Sequence, residues 1–372
     1  MLIGSSSDIG LTFHFTRLAI VLQRLGMEVT VLTDIKQQYA ELSNELASSG
    51  IRRYLSDAVD KPNVLGVIKG IKDIRDRVKK ESFDVIHAGG AKHGVKVFFA
   101  TRRLDKKPKT FATIGWLPRS KLGMSVASIS YSLFYDKCVA LCDNGRNALI
   151  KWGVNHDKIC VIPLFAPDLE WFEKAKEIKI NLDDYNLQGI SKPVIFYTAS
   201  HFPHKGFTYY LAAASKVLKK FDVTFVVGGK GPLTLTLKEQ AKRLGISKHV
   251  VFTGWISNYH MPYLLSNMAD ICVSTSLVEQ LPSYIMECMA AEKPVVASSV
   301  GGVPEIIIDE VNGYLVPPHD YEKTAQCIIN LLENPKEAKE MGLAGRKMIE
   351  NQLNMKTSVL RLMEVYEETI QY

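Results

Sequence analysis

The sequence predicts an α/β chain built as two doubly wound parallel-sheet domains facing a central cleft. Three observations carry that expectation. Short β-rich apolar runs alternate with stretches of helical periodicity from one end to the other, the pattern of parallel strands joined by crossover helices. The rhythm breaks once, between residues 163 and 192, where "PLFAPD" and a mixed charged run read as a connection. And 372 residues exceed what one hydrophobic core normally supports.

Taken in order, the first series of strands is expected at 1–4, 28–32, 84–87, 110–114, 137–141 and 159–162, with helices in the gaps. The opening "MLIG" runs at once into "SSSDIG", so either the first strand is short or the numbered sequence begins inside a longer natural protein. The second series is expected at 194–198, 224–227, 250–252, 271–274 and 295–297, followed by helical stretches from Tyr321, Lys336 and Asn354. Open α/β sheets bind ligands outside the carboxyl ends of their strands, which is where the two domains would meet.

A composition of 47% hydrophobic and 23% charged residues is that of an ordinary globular protein. No basic-then-apolar leader is evident and every apolar run stops short of the roughly 18 to 20 residues of a spanning helix, so a cytoplasmic location is expected. The six cysteines lie in apolar contexts such as "KCVALC" and "DICVS", without zinc-type spacing, and read as buried free thiols. The net charge of +7 is uneven: residues 51–151 hold 21 Lys+Arg against 9 Asp+Glu. Intermixed acids and bases in "KGIKDIRDRVKK" make a solvated helix face. "TRRLDKKPK" followed by the apolar "LGMSVASISYSLFY" also suits an anionic membrane surface. A nucleic-acid partner is not expected, because no recognisable module or basic-aromatic stripe is present.

Chemistry concentrates in "VEQLPSYIMECMAAEKPVVASS". Two glutamates, Glu279 and Glu287, stand eight positions apart in a segment that otherwise reads as core, and a buried carboxylate without a partner is costly. Glu279 follows the strand "DICVST", and Pro282 sits where a helix begins. The amides of Ser283, Tyr284 and Ile285 would then form an anion site between the glutamates. A nucleoside diphosphate sugar has that distribution of groups, phosphates for the amides and hydroxyls for the carboxylates. The plainer alternative is that Glu279 caps the helix and Glu287 pairs with a lysine.

The stretch "EQLPSYIMECMAAEKPVVASSVGGVPEIIIDEVNGYLVPP" resembles the nucleotide-sugar site of the family 4 retaining glycosyltransferases. These have the GT-B fold of two Rossmann-like domains, and a signature of Glu, seven residues, Glu, then Gly-Gly-x-Pro-Glu and an Asn-Gly turn. The resemblance implies that Glu279 meets the hydroxyls of the transferred sugar, Glu287 the ribose, and the backbone at Gly254, Trp255 and Ile256 the nucleobase. Ser283, Tyr284 and Gly302 complete the implied donor site. "VIFYTASHFPHKGFTYYLAAASKVL" occupies the place of the family's diphosphate clamp. Lys205 and Gly206 are present, but Ser200 stands where the family carries an arginine; His201 and His204 are nearby substitutes.

The first half resembles the family's acceptor domain more loosely. Gly10 opens the first helix of "DIGLTFHF", four residues before His14. "FDVIHAGG" ends in His87 with Gly89 where a second histidine is usual, and "KPKTFATIGW" has Ile114 where the family places a histidine at the donor sugar. His87, Lys92 or His93 would serve instead. The final helix should cross back, giving domains 1–165 plus 354–372 and 166–353. The implied activity is retaining transfer of a hexosyl or N-acetylhexosaminyl group to the hydroxyl of a lipid-linked or cell-surface glycan precursor, with a UDP-linked donor favoured narrowly over a GDP-linked one by the commonness of uridine donors in the family. With no Asp-x-Asp loop in the sequence, neither metal nor cofactor is expected. The rival from another class is a degenerate nucleotide-sugar-binding scaffold, on the evidence of Ser200 and Ile114. An epimerase of the same fold is a third reading, which the paired glutamates disfavour. A dinucleotide oxidoreductase is unsupported, because no G-x-G-x-x-G follows the first strand.

Overall fold

The structure, a computed structural model, describes residues 1–3, 9–33, 40–59, 61, 63–115 and 120–371. Gly4 and residues 5–8 lie outside them, so of the expected opening strand only β1 (Leu2–Ile3) is described. The chain divides into two compact units, Met1–Phe165 with Met355–Tyr372, and Ala166–Asn354.

The first unit holds seven strands: β1, β2 (Thr30–Thr33), β3 (Arg52–Leu55), β4 (Val85–Gly89), β5 (Lys109–Ile114), β6 (Lys137–Ala140) and β7 (Ile159–Val161). They pair in parallel in the order β3-β2-β1-β4-β5-β6-β7. Helices α1 (Ile9–Arg24), α2 (Ala40–Ser48), α3 (Val64–Lys80), α4 (Gly94–Thr101), α5 (Lys121–Phe134) and α6 (Asp143–Lys151) fill the crossovers. Asn63 and Ser120 start α3 and α5 by accepting the amides of Gly66 (2.8 Å) and Gly123 (3.1 Å), donors a helix start leaves unpaired. The sequence reading misses β3. Its "RRYL" is exposed at both ends and carries two arginines, as suits an edge strand that resists pairing with other chains.

The second unit begins with α7 (Leu169–Ala175) inside the expected connection. Its six parallel strands are β8 (Val194–Thr198), β9 (Thr224–Gly228), β10 (Val250–Gly254), β11 (Ile271–Ser274), β12 (Val295–Ser298) and β13 (Tyr314–Val316), in the order β10-β9-β8-β11-β12-β13. Every residue of β9, β11 and β12 is buried, as expected where helices cover both faces of a parallel sheet. Between them run α8 (Phe207–Val217), α9 (Thr234–Arg243), α10 (Met261–Asn267), α11 (Ser283–Ala290) and α12 (Val303–Ile306). Helices α13 (Tyr321–Glu333), α14 (Pro335–Asn351) and α15 (Met355–Gln371) close the chain. Strand β13 is the second one missed, a three-residue edge strand after the Asn312-Gly313 turn.

Helix α15 belongs to the first unit, where it packs on α1 and β5. Tyr366 in α15 hydrogen-bonds His87 Nδ1 in β4, and Ser358 Oγ donates to the Pro163 carbonyl (3.1 Å). Leu362 and Val359 are fully buried. No described helix is long and apolar enough to cross a membrane.

Candidate active site

The residues that sequence reasoning groups in the second unit come together at the carboxyl ends of adjacent parallel strands. Chain leaving β8 carries Ser200 and Lys205, and chain leaving β11 carries Glu279. Lys205 Nζ donates to Glu279 Oε1 at 2.5 Å, and Ser276 Oγ donates to the same oxygen at 2.7 Å. The two side chains are 21% and 12% exposed, so the pair is largely buried with one edge open to solvent. Glu279 therefore does not cap α11; Pro282 takes that position with no side-chain hydrogen bond.

Several contacts clamp the two loops. Buried Tyr197 reaches both the Lys205 carbonyl (2.7 Å) and Ser276 Oγ (3.0 Å), and the Leu277 amide donates to the His204 carbonyl (2.7 Å). Gly206 has a φ of +64°, and a Cβ there would collide with the Thr275 carbonyl oxygen. Gly301, with a φ of +57°, likewise presses on the Glu279 carbonyl. The Gly302 amide donates to the Gln280 carbonyl (2.7 Å), so Gly302 holds the 279–281 loop and its amide is already occupied. Ser276 and Tyr197 escaped the sequence reading, although a serine three residues before a glutamate was a usable signal.

Helix α11 is shifted by one residue from expectation. Pro282 is its N-cap, and the Ile285 amide is turned to the Pro282 carbonyl (3.2 Å), which leaves the amides of Ser283 and Tyr284 as the donors of the first turn. The Tyr284 hydroxyl points away to the Phe196 carbonyl (2.6 Å), so only its backbone serves the site. Glu287 lies one turn into the helix and has no lysine partner among the described residues. Solvent still reaches part of the residue, yet the protein crowded around its carboxyl pushes the pKa up from 4.5 to about 8. Beside this, Gly254 ends β10 in a left-handed conformation and accepts the Gly229 amide (2.7 Å), while Trp255 stands 44% exposed and Ile256 is buried.

Two family models match, Glycosyltransferase Family 4 over residues 10–167 and Glycosyl transferases group 1 over residues 186–348. The chain belongs to the family 4 glycosyltransferases. A GDP-mannose-dependent alpha-(1-6)-phosphatidylinositol monomannoside mannosyltransferase of Mycolicibacterium smegmatis is 30% identical over 221 residues, 57% of this chain and 54% of the relative. The UDP-Gal:alpha-D-GlcNAc-diphosphoundecaprenol alpha-1,3-galactosyltransferase of Escherichia coli is 25% identical over 347 residues, 87% of each chain. The Anabaena protein HepE, solved in complex with UDP-glucose, superposes with a TM-score of 0.81 at 18% identity, covering 99% of this chain and 98% of its own. Among the first curated relatives, the matched stretches span between 39% and 54% of the relative's length. The fold is GT-B.

Against the family pattern, several side chains lie elsewhere than expected. Ser200 is exposed at the loop where the family has its arginine. His201 does not replace it: the residue is buried, with Nδ1 on Thr234 Oγ1 (2.9 Å) and Nε2 on the Gly228 carbonyl (3.2 Å), and burial lowers its pKa. His204 stacks on exposed Phe202.

In the first unit, the expected sugar-pocket role of His87 is corrected. Its ring is fully buried between Tyr366 and Thr113 Oγ1 (2.6 Å), both nitrogens are engaged, and burial drives its pKa down to about 3. Ile114 ends β5 inside the core, and His93 is buried with Nδ1 on the Gly89 carbonyl (2.9 Å); neither can line a solvent-facing pocket as placed. Lys92 precedes His93 in the same turn and is exposed. His14, nearly buried on α1, stacks on Phe165 at 4.6 Å, and Gly10 lies in the first turn of that helix.

Proposed function

We propose that the chain transfers a hexosyl or N-acetylhexosaminyl group from a nucleoside diphosphate sugar to an acceptor hydroxyl, with retention and without a metal ion. The observation that carries this reading is the Lys205–Glu279 pair held between two strand-end loops, with the carboxyl of Glu287, which has no ion-pair partner among the described residues, a short way into the adjoining helix. Lys205 and the amides of Ser283 and Tyr284 take up the charge of the leaving diphosphate. Glu279 holds the sugar hydroxyls and Glu287 those of the ribose, with the backbone at 254–256 against the base. The bond from the anomeric carbon to phosphate oxygen breaks, and the acceptor oxygen bonds to the same face. Its proton passes to the departing phosphate.

Uracil is the proposed donor base, supported by the UDP-Gal in the name of the E. coli relative that matches 87% of the chain. The acceptor we propose is lipid-linked. Two relatives act by name on phosphatidylinositol monomannoside or on a diphosphoundecaprenol. This chain also displays Leu122, Val126, Ile129 and Leu133 along α5, each between 53% and 76% exposed, in the unit that carries the basic surplus. Such an apolar stripe with bases nearby suits peripheral seating on the anionic, cytoplasmic face of a membrane.

The test is product analysis in EDTA, with UDP-galactose, UDP-N-acetylglucosamine and GDP-mannose each offered with polyprenyl diphosphate saccharides. Sugar transferred with retained anomeric configuration, and lost in Lys205→Ala and Glu279→Ala, is the expected result. Nucleotide binding with no turnover on any acceptor would instead favour the degenerate scaffold, for which Ser200 and the buried Ile114 speak. Flotation with anionic liposomes, abolished by Val126→Asp with Ile129→Asp, checks the membrane component; absence of any binding would remove it.

A further inference from the structure

We infer that Lys230 is the second cation of the diphosphate site, supplying from the end of β9 the positive charge that Ser200 lacks. The inference rests on the nucleotide-sugar reading of that site. Lys205 is already matched by the Glu279 carboxylate, so the pair adds no net charge. A departing diphosphate carries at least two negative charges, and its stabilisation needs a further cation within reach.

Lys230 is built into the place where that cation is missing. Strand β9 lies directly beside β8, with Gly228 opposite Thr198, so residues 229–231 and 199–201 leave the sheet as neighbouring loops. The Ala199 amide donates to the Gly228 carbonyl (3.2 Å), the His201 amide to the Lys230 carbonyl (3.1 Å), and the Leu233 amide to the His201 carbonyl (3.1 Å). These bonds bracket Ser200 and bring the Lys230 backbone against it. The loops can lie this close because Lys230 stands between glycines. A Cβ at Gly229 would collide with the Ala199 carbonyl oxygen, and one at Gly231 would press on the His201 backbone. Buried His201 braces the arrangement from below through Thr234 and Gly228.

The Lys230 side chain is exposed and enters no ion pair among the described residues, so its charge is free for a ligand. A lysine there acts as a mobile point charge rather than the bidentate fork of an arginine. The signal in the sequence is the lysine of "GGKGP", one strand over from the serine that interrupts the family pattern.

Calorimetric titration of the full chain with UDP, GDP, uridine and guanosine tests this. Lys230→Ala should weaken the diphosphate that binds the parent protein about tenfold and leave the matching nucleoside unchanged. Ser200→Arg added to Lys230→Ala should recover most of the loss, and Lys230→Gln should behave as Lys230→Ala does, with melting temperatures close to the parent throughout. Diphosphate binding that is unchanged in Lys230→Ala, or weakened equally with the nucleoside, overturns the inference and leaves the site reading standing. A parent protein that binds neither diphosphate overturns both.

Discussion

Glu279→Gln keeps the side-chain volume and removes the charge that holds Lys205. The carboxylate accepts from Lys205 at 2.5 Å and from Ser276 at 2.7 Å, at a site where its own side chain is only 12% exposed. A phosphate bound to the same lysine would sit ~5 Å from Glu279, where two like unit charges repel by ~3 kcal/mol at an effective dielectric constant of ~20. Solvent at the open edge and salt reduce this to about 1–2 kcal/mol. The variant should therefore bind the free nucleoside diphosphate roughly 5- to 30-fold more tightly. Its turnover should fall on the order of 100-fold, because a neutral amide oxygen accepts from the sugar hydroxyls more weakly than the carboxylate does as the charge develops. The two effects run in opposite directions, which a residue that merely shaped the loop would not produce. Calorimetry and single-turnover transfer measure them separately. Parallel loss of affinity and rate, or no change in either, would refute the reasoning.

The remaining predictions concern the supports of the site. Gly206→Ala forces a side chain onto a φ of +64° and against the Thr275 carbonyl, so it should cost about 2–3 kcal/mol in denaturant unfolding and weaken nucleotide binding; a parent-like midpoint would contradict this. Glu287 has a folded pKa of about 8 against 4.5 for the free side chain. Its contribution is fully present below pH 4.5 and is lost as pH rises through 8. The shift corresponds to an upper bound of ~5 kcal/mol at 1.36 kcal/mol per pH unit, and partial solvent access brings the expected loss to about 2 kcal/mol. Glu287→Gln should thus gain stability relative to the parent between pH 5 and 9, and parallel stability curves would count against the raised pKa. Tyr366→Phe leaves the buried His87 Nδ1 without its partner and should cost about 1–3 kcal/mol, with earlier proteolysis at α15; an unchanged melt would show that the bond is dispensable.

Much of the second unit was legible because its strands are short buried runs and its chemistry lies in one contiguous segment. The spacing from Glu279 to Glu287 and the glycines at 301 and 302 are local features, and the structure uses them locally. Edge strands β3 and β13 were not legible, since charged or three-residue edges carry little of the apolar signal that marks a central strand. The partners of Glu279 were hidden for another reason. Lys205 lies 74 residues away, and only the pairing of β8 with β11 brings the two loops together. The first unit misled through its histidines. A histidine at a strand end reads as a ligand in sequence, but α15, from the far end of the chain, engages His87 Nδ1 through Tyr366 while Thr113 of β5 takes Nε2. Lys230 was overlooked because the lysine of "GGKGP" meets Ser200 only through the pairing of β8 with β9.

The most direct test of the central claim, that the second unit holds a nucleoside diphosphate at Lys205, Glu279 and Glu287, is thermal unfolding against UDP, GDP, ADP, TDP and CMP. A ligand that binds only the folded state at ~100 times its Kd stabilises it by ~2.7 kcal/mol. The expected result is a rise in melting temperature with one diphosphate, UDP first, that disappears in Glu287→Ala. No rise with any of the five, or a rise that Glu287→Ala leaves intact, would contradict it.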